Sequence, residues 1–472
     1  MTPSATTDDQ VQVRSARAVE WSGCESARHS AGDASRLAAL LLGHMRQACS
    51  VVAPGQPGAS QPSVHKPIRN QATRIDREFR SRSRGRHAAQ REKQDRQAVV
   101  ERTNVDKVVA AVKVGPSAIE LREFPMPDIS EDSALLRMEV AGICGTDVKM
   151  FKQPLSGAPV IMGHENIGYI AKAGREFTAR KGFKEGDLVF LEHYVTCGRC
   201  EWCHLGQYRH CESTDWRNNP DGIRYGYTSS ARPPHLWGGF AHYVYLPWNA
   251  VLHHVPRGLS PELASLATPM ANGVEWSLFD GGVGYDSSVL IQGPGQQGLS
   301  QTVVCKQAGA SLIIVTGTSK DAARLAVAKT LGADHVIDVQ QEDALAGIME
   351  ITGGKGVDVV LDCTAGAGTT PVLLGIDALK RRGGTMVVQG ELNEFPNFPI
   401  AKMTLKAITL RSARGHSYRA CELALQQLAS QRFPLDLVTT HTFGLSETAH
   451  AIQSVGGEGA DDVIHVSLMP WQ

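Results

Sequence analysis

The chain has 472 residues and carries 48 basic and 48 acidic side chains. The charge is divided unevenly: residues 1–105 hold 17 basic and 10 acidic side chains, a net charge of +7, and the remaining residues hold 31 and 38, a net charge of −7. A mildly acidic body argues against nucleic acid as its main partner. At roughly 150 residues per domain, the length allows about three domains.

The first segment, residues 1–105, is rich in Ser, Ala, Arg, Gln and Pro and poor in aromatic residues. Such a composition buries too little apolar surface to offset the entropy of ordering, so it predicts a disordered basic extension. An arginine-rich run such as Arg80–Gln97 can bind nucleic acid or anionic lipid, but a solvated tail is the favoured interpretation. The apolar run Leu37–Leu42 is too short to span a membrane and lacks a signal-peptide cleavage site, so we expect no membrane partner.

Residues 106–264 predict a β-rich domain. Val108–Val114 and Ala134–Ile143 have the apolar content of strands, and short strands with Gly and Pro turns continue to about residue 256. A helix is then predicted to begin near Pro261, because proline is favoured in the first turn of a helix.

Between residues 265 and 410 the pattern changes to apolar strands that alternate with helices. The predicted strands lie at 288–292, 311–317, 335–339, 357–365 and 384–390. This alternation predicts an α/β fold with a doubly wound parallel sheet covered by helices on both faces. Residues 411–472 contain two more helical patterns and a final strand, and we expect them to complete the β-rich domain.

Four cysteines of the β-rich segment are spaced C-x2-C-x2-C-x7-C, at Cys197, Cys200, Cys203 and Cys211. Four thiolates on so short a loop can surround one zinc ion and leave no open position, which predicts a structural rather than a catalytic site. Such clustering in a long chain indicates metal binding rather than a disulfide framework, and a reducing cytoplasm is the expected location.

A glycine-rich turn follows the first strand of the α/β series and begins a helix. Its glycines are Gly293, Gly295 and Gly298, and Gln296 and Gln297 lie between the last two. The first glycine allows a tight turn, the second lets a pyrophosphate approach the backbone, and the third lets the helix pack on the strand. The free N–H groups of the helix then face the phosphates, which predicts a dinucleotide site.

The second strand of the series lacks the acidic residue that normally binds the ribose of NAD at its end. Small hydroxyl residues and a lysine stand there instead, at Thr318, Ser319 and Lys320, and Arg324 follows. The nearest carboxylate, Asp321, is expected to cap the next helix. These residues favour a 2′-phosphate, and therefore NADP, over NAD.

Two further ligand candidates lie in turns flanked by glycine. Cys144 belongs to Gly142–Asp147 and His164 to Gly163–Asn166. A thiolate and an imidazole with one exchangeable position form the kind of open zinc site that polarises an oxygen. Core packing is the alternative, but neither residue lies on an apolar periodic face.

Six motifs occur in one order: GICGTD, GHE, EGDLV, the four-cysteine loop, GGFAHY and GPGQQG. With them the chain, over about residues 106–472, resembles the zinc-dependent alcohol dehydrogenases of the medium-chain dehydrogenase/reductase superfamily. The resemblance implies a GroES-like catalytic domain at 106–264 completed by 411–472, and a Rossmann domain at 265–410. It also implies one catalytic and one structural zinc, NAD or NADP as cofactor, and a homodimer or homotetramer.

The resemblance also implies roles for single residues. Cys144 and His164 would bind the catalytic zinc, Glu165 would be a close or alternate ligand, Asp147 would orient the imidazole of His164, and Thr146 would contact the substrate hydroxyl. Two positions depart from the family pattern. Thr268 stands where the family often has a charged ligand, and Lys149 stands where many members have a histidine that relays protons.

The implied activity is reversible hydride transfer between NAD(P) and a small-molecule alcohol: a secondary alcohol, a polyol or an amino alcohol. One alternative is a zinc-bearing enoyl or quinone reductase of the same superfamily, which the GHE and GICGTD motifs oppose. The other is a zinc-ribbon protein that binds nucleic acid through its arginine-rich tail. The acidic body and the strand–helix series oppose that alternative.

Overall fold

A computed structural model describes residues 106–155, 157–214, 219–390, 392 and 394–472. The basic extension predicted at residues 1–105 lies outside the described residues. Within them, no helix is both long and apolar enough to cross a membrane.

The strands of the described chain are β1 Lys107–Gly115, β2 Ala118–Pro125, β3 Ala134–Ile143, β4 Val160–Ile161, β5 Glu165–Ala173, β6 Leu188–Val195, β7 Tyr243–Leu246, β8 Ala250–His254, β9 Ser288–Gln292, β10 Leu312–Gly317, β11 His335–Asp338, β12 Val359–Asp362, β13 Thr385–Val388, β14 Thr409–Ser412, β15 Thr439–Gly444 and β16 His465–Met469.

The α-helices are α1 Gly145–Lys152, α2 Arg175–Lys181, α3 Glu201–His204, α4 Pro261–Ala264, α5 Ala267–Val274, α6 Gln296–Ala308, α7 Ala322–Leu331, α8 Ala344–Ile351, α9 Thr370–Ala378, α10 Ile400–Lys406, α11 Tyr418–Ala429 and α12 Thr448–Val455. A π-helix, Glu275–Asp280, continues α5. Short 3-10 turns occur at Tyr208–His210, Glu212–Thr214, Ser319–Asp321, Leu435–Leu437 and Leu445–Glu447.

The N-terminal half of the described chain forms a mostly antiparallel β domain. Its larger sheet has the order β15-β16-β3-β5-β6-β8, with β7 paired to β3, and a smaller sheet has the order β2-β1-β4. β15 and β16 come from the end of the chain, and β16 pairs antiparallel with β3. The C-terminal segment thus returns to the first domain. The residue at which one domain gives way to the other remains a prediction.

The second sheet is parallel and has the order β11-β10-β9-β12-β13-β14. Numbered from its own first strand this is 3-2-1-4-5-6, the order of the dinucleotide-binding Rossmann fold. The predicted α/β series is therefore confirmed. The parallel sheet also contains a sixth strand, β14, that the sequence pattern did not indicate. This strand ends at Ser412.

One apolar core joins the two sheets. Val140 and Phe190 of the β domain belong to the same buried cluster as Met270 of α5, Val289 of β9 and Leu425 of α11. Burying each side chain of this size contributes about 1.5–3 kcal/mol, so α5 and α11 are firmly held between the sheets. The candidate metal ligands lie next to strands of the β domain. Cys144 follows β3, His164 precedes β5, and the four clustered cysteines follow β6.

Candidate active site and metal centres

The four clustered cysteines converge in the loop after β6. Their sulfur atoms all lie within 4.8 Å of one another. The distance is 3.9 Å from Cys197 Sγ to Cys203 Sγ and 3.5 Å from Cys200 Sγ to Cys203 Sγ. A tetrahedron of sulfurs around zinc, with Zn–S bonds of about 2.3 Å, has edges of about 3.8 Å. The loop is therefore folded to the dimensions of a four-thiolate zinc site.

The thiols of this loop differ in their tendency to ionise. Burial raises the pKa of Cys197, but backbone N–H groups of Arg199 and Cys200 outweigh it and bring that pKa down to about 6. Burial and the neighbouring thiols raise the pKa of Cys203 to about 12. Four thiolates this close need a cation between them, which fits a divalent metal.

Cys144 lies at the point where β3 ends and α1 begins. Its Sγ accepts a hydrogen bond from Thr146 N at 3.2 Å, and its own backbone N–H donates to Asp147 Oδ2 at 3.0 Å. These reciprocal bonds are an N-terminal capping box with a cysteine in the capping position. The GICGTD motif therefore fixes the direction of the thiol through the helix it begins.

His164 faces that thiol from the turn before β5. Its Nε2 lies 3.1 Å from Cys144 Sγ, and its Nδ1 lies 3.3 Å from Asp147 Oδ1. The turn is tight at Gly163, which has a φ of 90°, and a Cβ there would lie 2.4 Å from Phe240 Cδ1. Asp147 is fully buried and contacts the far nitrogen of the ring, as carboxylates behind metal-binding histidines commonly do.

Glu165 completes this cluster of ligand atoms. One carboxylate oxygen lies within 4.8 Å of both Cys144 Sγ and a nitrogen of His164. The side chain is buried, and its Oε2 has no hydrogen-bond partner among the described residues. Burial raises the pKa of this carboxyl group to about 7. A buried oxygen without a donor, beside a thiol and an imidazole, fits a bound cation.

Two aromatic side chains that sequence reasoning missed surround the same histidine. The ring of His193, on β6, lies 5.6 Å from that of His164, and the ring of Tyr227 lies 5.3 Å from it. They come from segments far apart in the chain, and no local motif marks them.

The structure also places three positions that the sequence analysis singled out. Thr146 is half-buried in the first turn of α1, Lys149 is exposed on the same helix, and Thr268 is buried in α5.

A third group of metal-type side chains lies between β6 and α11, at Glu192, His416 and Cys421. Glu192 accepts hydrogen bonds from His253 Nε2 at 3.3 Å and His416 Nε2 at 3.2 Å. Burial raises the pKa of Glu192, but the two histidines hold it well below its usual range. Asn272 Oδ1 lies 2.9 Å from His416 Nδ1. This network is satisfied without an ion and connects the β domain to α5 and α11.

The glycine turn has the form predicted for a dinucleotide site. Gly293, directly after β9, has a φ of 92°, and Gly295 is the residue before the first turn of α6. A Cβ on Gly298 would lie 2.0 Å from Gly293 O, so only glycine lets the helix pack this closely. Gln296 and Gln297 lie in the first turn of α6, where N–H groups are free to bind phosphate.

Some of the residues expected to bind the ribose of the cofactor are hydrogen-bonded to other groups of the protein. Thr318 donates from N and Oγ1 to Asp321 Oδ2. Asp321 precedes α7, but its carboxylate makes no capping bond to that helix and closes the 3-10 turn Ser319–Asp321 instead, so the expected helix cap was wrong. Arg324 donates to Asp321 Oδ1 and to Val463 O. Ser319 and Lys320 are exposed, and Ser319 Oγ donates to Asp338 Oδ2 at 2.6 Å. Lys320 is therefore the better candidate for a 2′-phosphate, and Arg324 is held elsewhere.

A glycine-rich turn of dinucleotide-binding form together with two clusters of candidate metal ligands is the combination that a metal-dependent dehydrogenase requires. Residues 130–257 match the model of the alcohol dehydrogenase GroES-like domain, and residues 298–430 match that of the zinc-binding dehydrogenases. The chain belongs to the zinc-dependent alcohol dehydrogenase family of the medium-chain dehydrogenase/reductase superfamily, as its motifs predicted.

Several known proteins are similar to it. A probable alcohol dehydrogenase of Mycobacterium tuberculosis is 34% identical over 370 residues, 77% of this chain and 98% of that protein. A sorbitol dehydrogenase of Halalkalibacterium halodurans is 30% identical over 74% of this chain and 96% of its own. The crystal structure of an alcohol dehydrogenase from Thermotoga maritima superposes with a TM-score of 0.66 at 25% identity, covering 77% of this chain and 99% of its own. The chain is therefore an oxidoreductase of this family.

Proposed function

We propose that the protein oxidises a secondary alcohol, a polyol or an amino alcohol, and reduces the matching carbonyl compound, with NAD(P). The observation that carries the proposal is the cluster of Cys144, His164 and Glu165, in which a buried carboxylate oxygen has no donor among the residues that the structure describes. The similarity to a sorbitol dehydrogenase supports polyols as one substrate class. A screen of such alcohols with both cofactors, followed by absorbance of reduced nicotinamide, tests the proposal. Oxidation of none of them would reject it.

The metal-binding roles are part of this proposal. Cys144, His164 and Glu165 would hold one zinc ion, and the four clustered cysteines would hold another. When bound, the first ion supplies Lewis acidity toward the substrate oxygen. The protein's own part is positional. Asp147 keeps the imidazole of His164 directed at the thiol. Thr146, held by its backbone bond to Cys144, presents a hydroxyl that would accept the substrate proton while it passes its own proton toward solvent.

We further propose a preference for NADP, because β10 ends in Gly317 and no carboxylate follows until Asp321, which accepts from Thr318. Lys320→Ala should raise KM for NADP about tenfold and leave KM for NAD unchanged, since a charge-assisted hydrogen bond to a phosphate is lost. Lys355→Ala, an exposed lysine of the same domain, is the control. A tenfold preference of the unaltered enzyme for NAD would contradict this assignment.

We also propose that the chain forms a homo-oligomer through the edge of the parallel sheet. All four residues of β14 are exposed, and Leu405 of the neighbouring α10 is 80% exposed. An open strand edge beside exposed apolar side chains favours pairing with a second copy. Sedimentation at micromolar concentration should give a mass of two or four chains. The described cysteines form no disulfide with one another, in keeping with the cytoplasmic location we propose, which cell fractionation tests.

A further inference from the structure

His465 is a buried histidine that lies between the candidate metal cluster and the dinucleotide turn. It is 1% exposed and begins β16, the C-terminal strand that pairs with β3. Its Nδ1 lies 2.5 Å from Oε1 of Gln296, the first residue of α6. One imidazole from the β domain thus contacts the glycine-rich turn of the other domain.

The other nitrogen of the ring is held within the β domain. His465 Nε2 lies 3.0 Å from Ser265 Oγ and 3.3 Å from Ser467 Oγ. Ser265 Oγ donates its own proton to Glu262 O at 2.6 Å, and Ser467 Oγ lies 3.3 Å from both Ser265 Oγ and His465 Nε2, each of which can accept its proton. Because the amide oxygen of Gln296 can only accept, the proton of a neutral ring lies on Nδ1 and points at Gln296. Burial lowers the pKa of His465 to about 4, which is consistent with a neutral ring.

The same ring lies beside the strand that leads to Cys144. A Cβ on Gly142 would lie 2.5 Å from Glu165 Oε2 and 3.1 Å from His465 Cε1. The carboxylate and the imidazole therefore share the space that the missing side chain leaves open. His465 thus lies on the same side of Gly142 as Glu165 and also contacts the glycine-rich turn through Gln296.

We propose that His465 is a positioning residue that fixes Gln296, and with it the glycine-rich turn, relative to Cys144, His164 and Glu165. The inference rests on the proposed function, since it assigns the turn to the nicotinamide cofactor. The reaction needs the cofactor and the substrate carbon at one separation, and the buried contact of His465 with Gln296 links the glycine-rich turn directly to β16, the strand paired with β3.

Replacing His465 with leucine tests the proposal. The variant leaves Gln296 Oε1 without its donor, and we expect the dissociation constant for the nicotinamide cofactor to rise about tenfold, with kcat also reduced. His465→Asn keeps an amide N–H near the Nδ1 position and should restore most of the affinity. Cofactor binding is measured by quenching of tryptophan fluorescence, which does not require turnover. His335→Leu, an exposed histidine on β11, is the matched control.

A double-mutant cycle separates positioning from general stability. Gln296→Ala should weaken cofactor binding about as much as His465→Leu, and the double variant little more than either, because both changes remove one contact. Additive losses would overturn the proposal, and so would a lower melting temperature with unchanged cofactor affinity. If His465→Leu fails to fold, Gln296→Ala is measured by itself. An unchanged affinity of Gln296→Ala for the cofactor would also overturn the proposal. An unaltered enzyme that binds no cofactor would instead reject the proposed function.

Discussion

Replacing Cys144 with serine should abolish alcohol oxidation and leave the fold in place. The hydroxyl keeps the hydrogen bond from Thr146 N, so α1 retains its cap, which contributes about 1 kcal/mol. A neutral hydroxyl is, however, a poor replacement for a thiolate as a ligand of zinc. We expect turnover to fall by a factor of at least about a thousand, because the remaining imidazole and carboxylate hold the ion too weakly.

The measurement combines kinetics with metal analysis and thermal unfolding. The unaltered protein should contain two zinc ions per chain and the Cys144→Ser variant one, with melting temperatures within a few degrees of each other. Cys305→Ala is the control, because Cys305 is buried in α6 and belongs to neither cluster, so its loss should keep two ions and most of the activity. Near-normal turnover by Cys144→Ser would show that this cluster is not the reactive centre.

Elements of the fold could be predicted from sequence where their buried residues form a recognisable run of apolar residues along the chain. Ala134–Ile143 is almost entirely buried, and its apolar run coincides with β3. The parallel strands are also continuous apolar runs, because helices cover both faces. β14 was missed for the opposite reason. All four of its residues are exposed, so only its pairing with β13 makes Thr409–Ser412 a strand.

Some residues of the candidate site could likewise be predicted from sequence, and others could not. Residues inside short motifs could be found from sequence, since Cys144 and Asp147 hold each other through a local capping box, and Gly163 marks the turn that presents His164. His193 and His465 could not. Each reaches the site alone, from β6 and β16, and only tertiary packing brings it near the motif residues. The buried pairing of Glu192 with His253 and His416 is equally invisible in sequence.

Replacing Cys203 with alanine should, in contrast, destabilise the cysteine loop and leave one zinc ion, in the Cys144 cluster. Cys203 Sγ lies 3.9 Å from Cys197 Sγ and 3.5 Å from Cys200 Sγ. The loop has little apolar burial of its own, since Leu205 is 61% exposed and Trp202 37%. A structural zinc contributes on the order of 10 kcal/mol to folding in small peptides, so the ion would be the loop's main support.

This loss should spread beyond the loop because the loop also anchors α11. Arg209 donates to Glu275 Oε1 at 2.7 Å and to Gly415 O, and Tyr418 N donates to Gly206 O at 2.8 Å. We expect the melting temperature to fall by on the order of 10 °C, and treatment of the unaltered protein with a chelator to reproduce the fall. Cys305→Ala again serves as the control for loss of a thiol. A Cys203→Ala protein with two zinc ions and an unchanged melting temperature would remove the structural role from this cluster, and the stability of the loop would then rest on its contacts with Glu275 and Gly415.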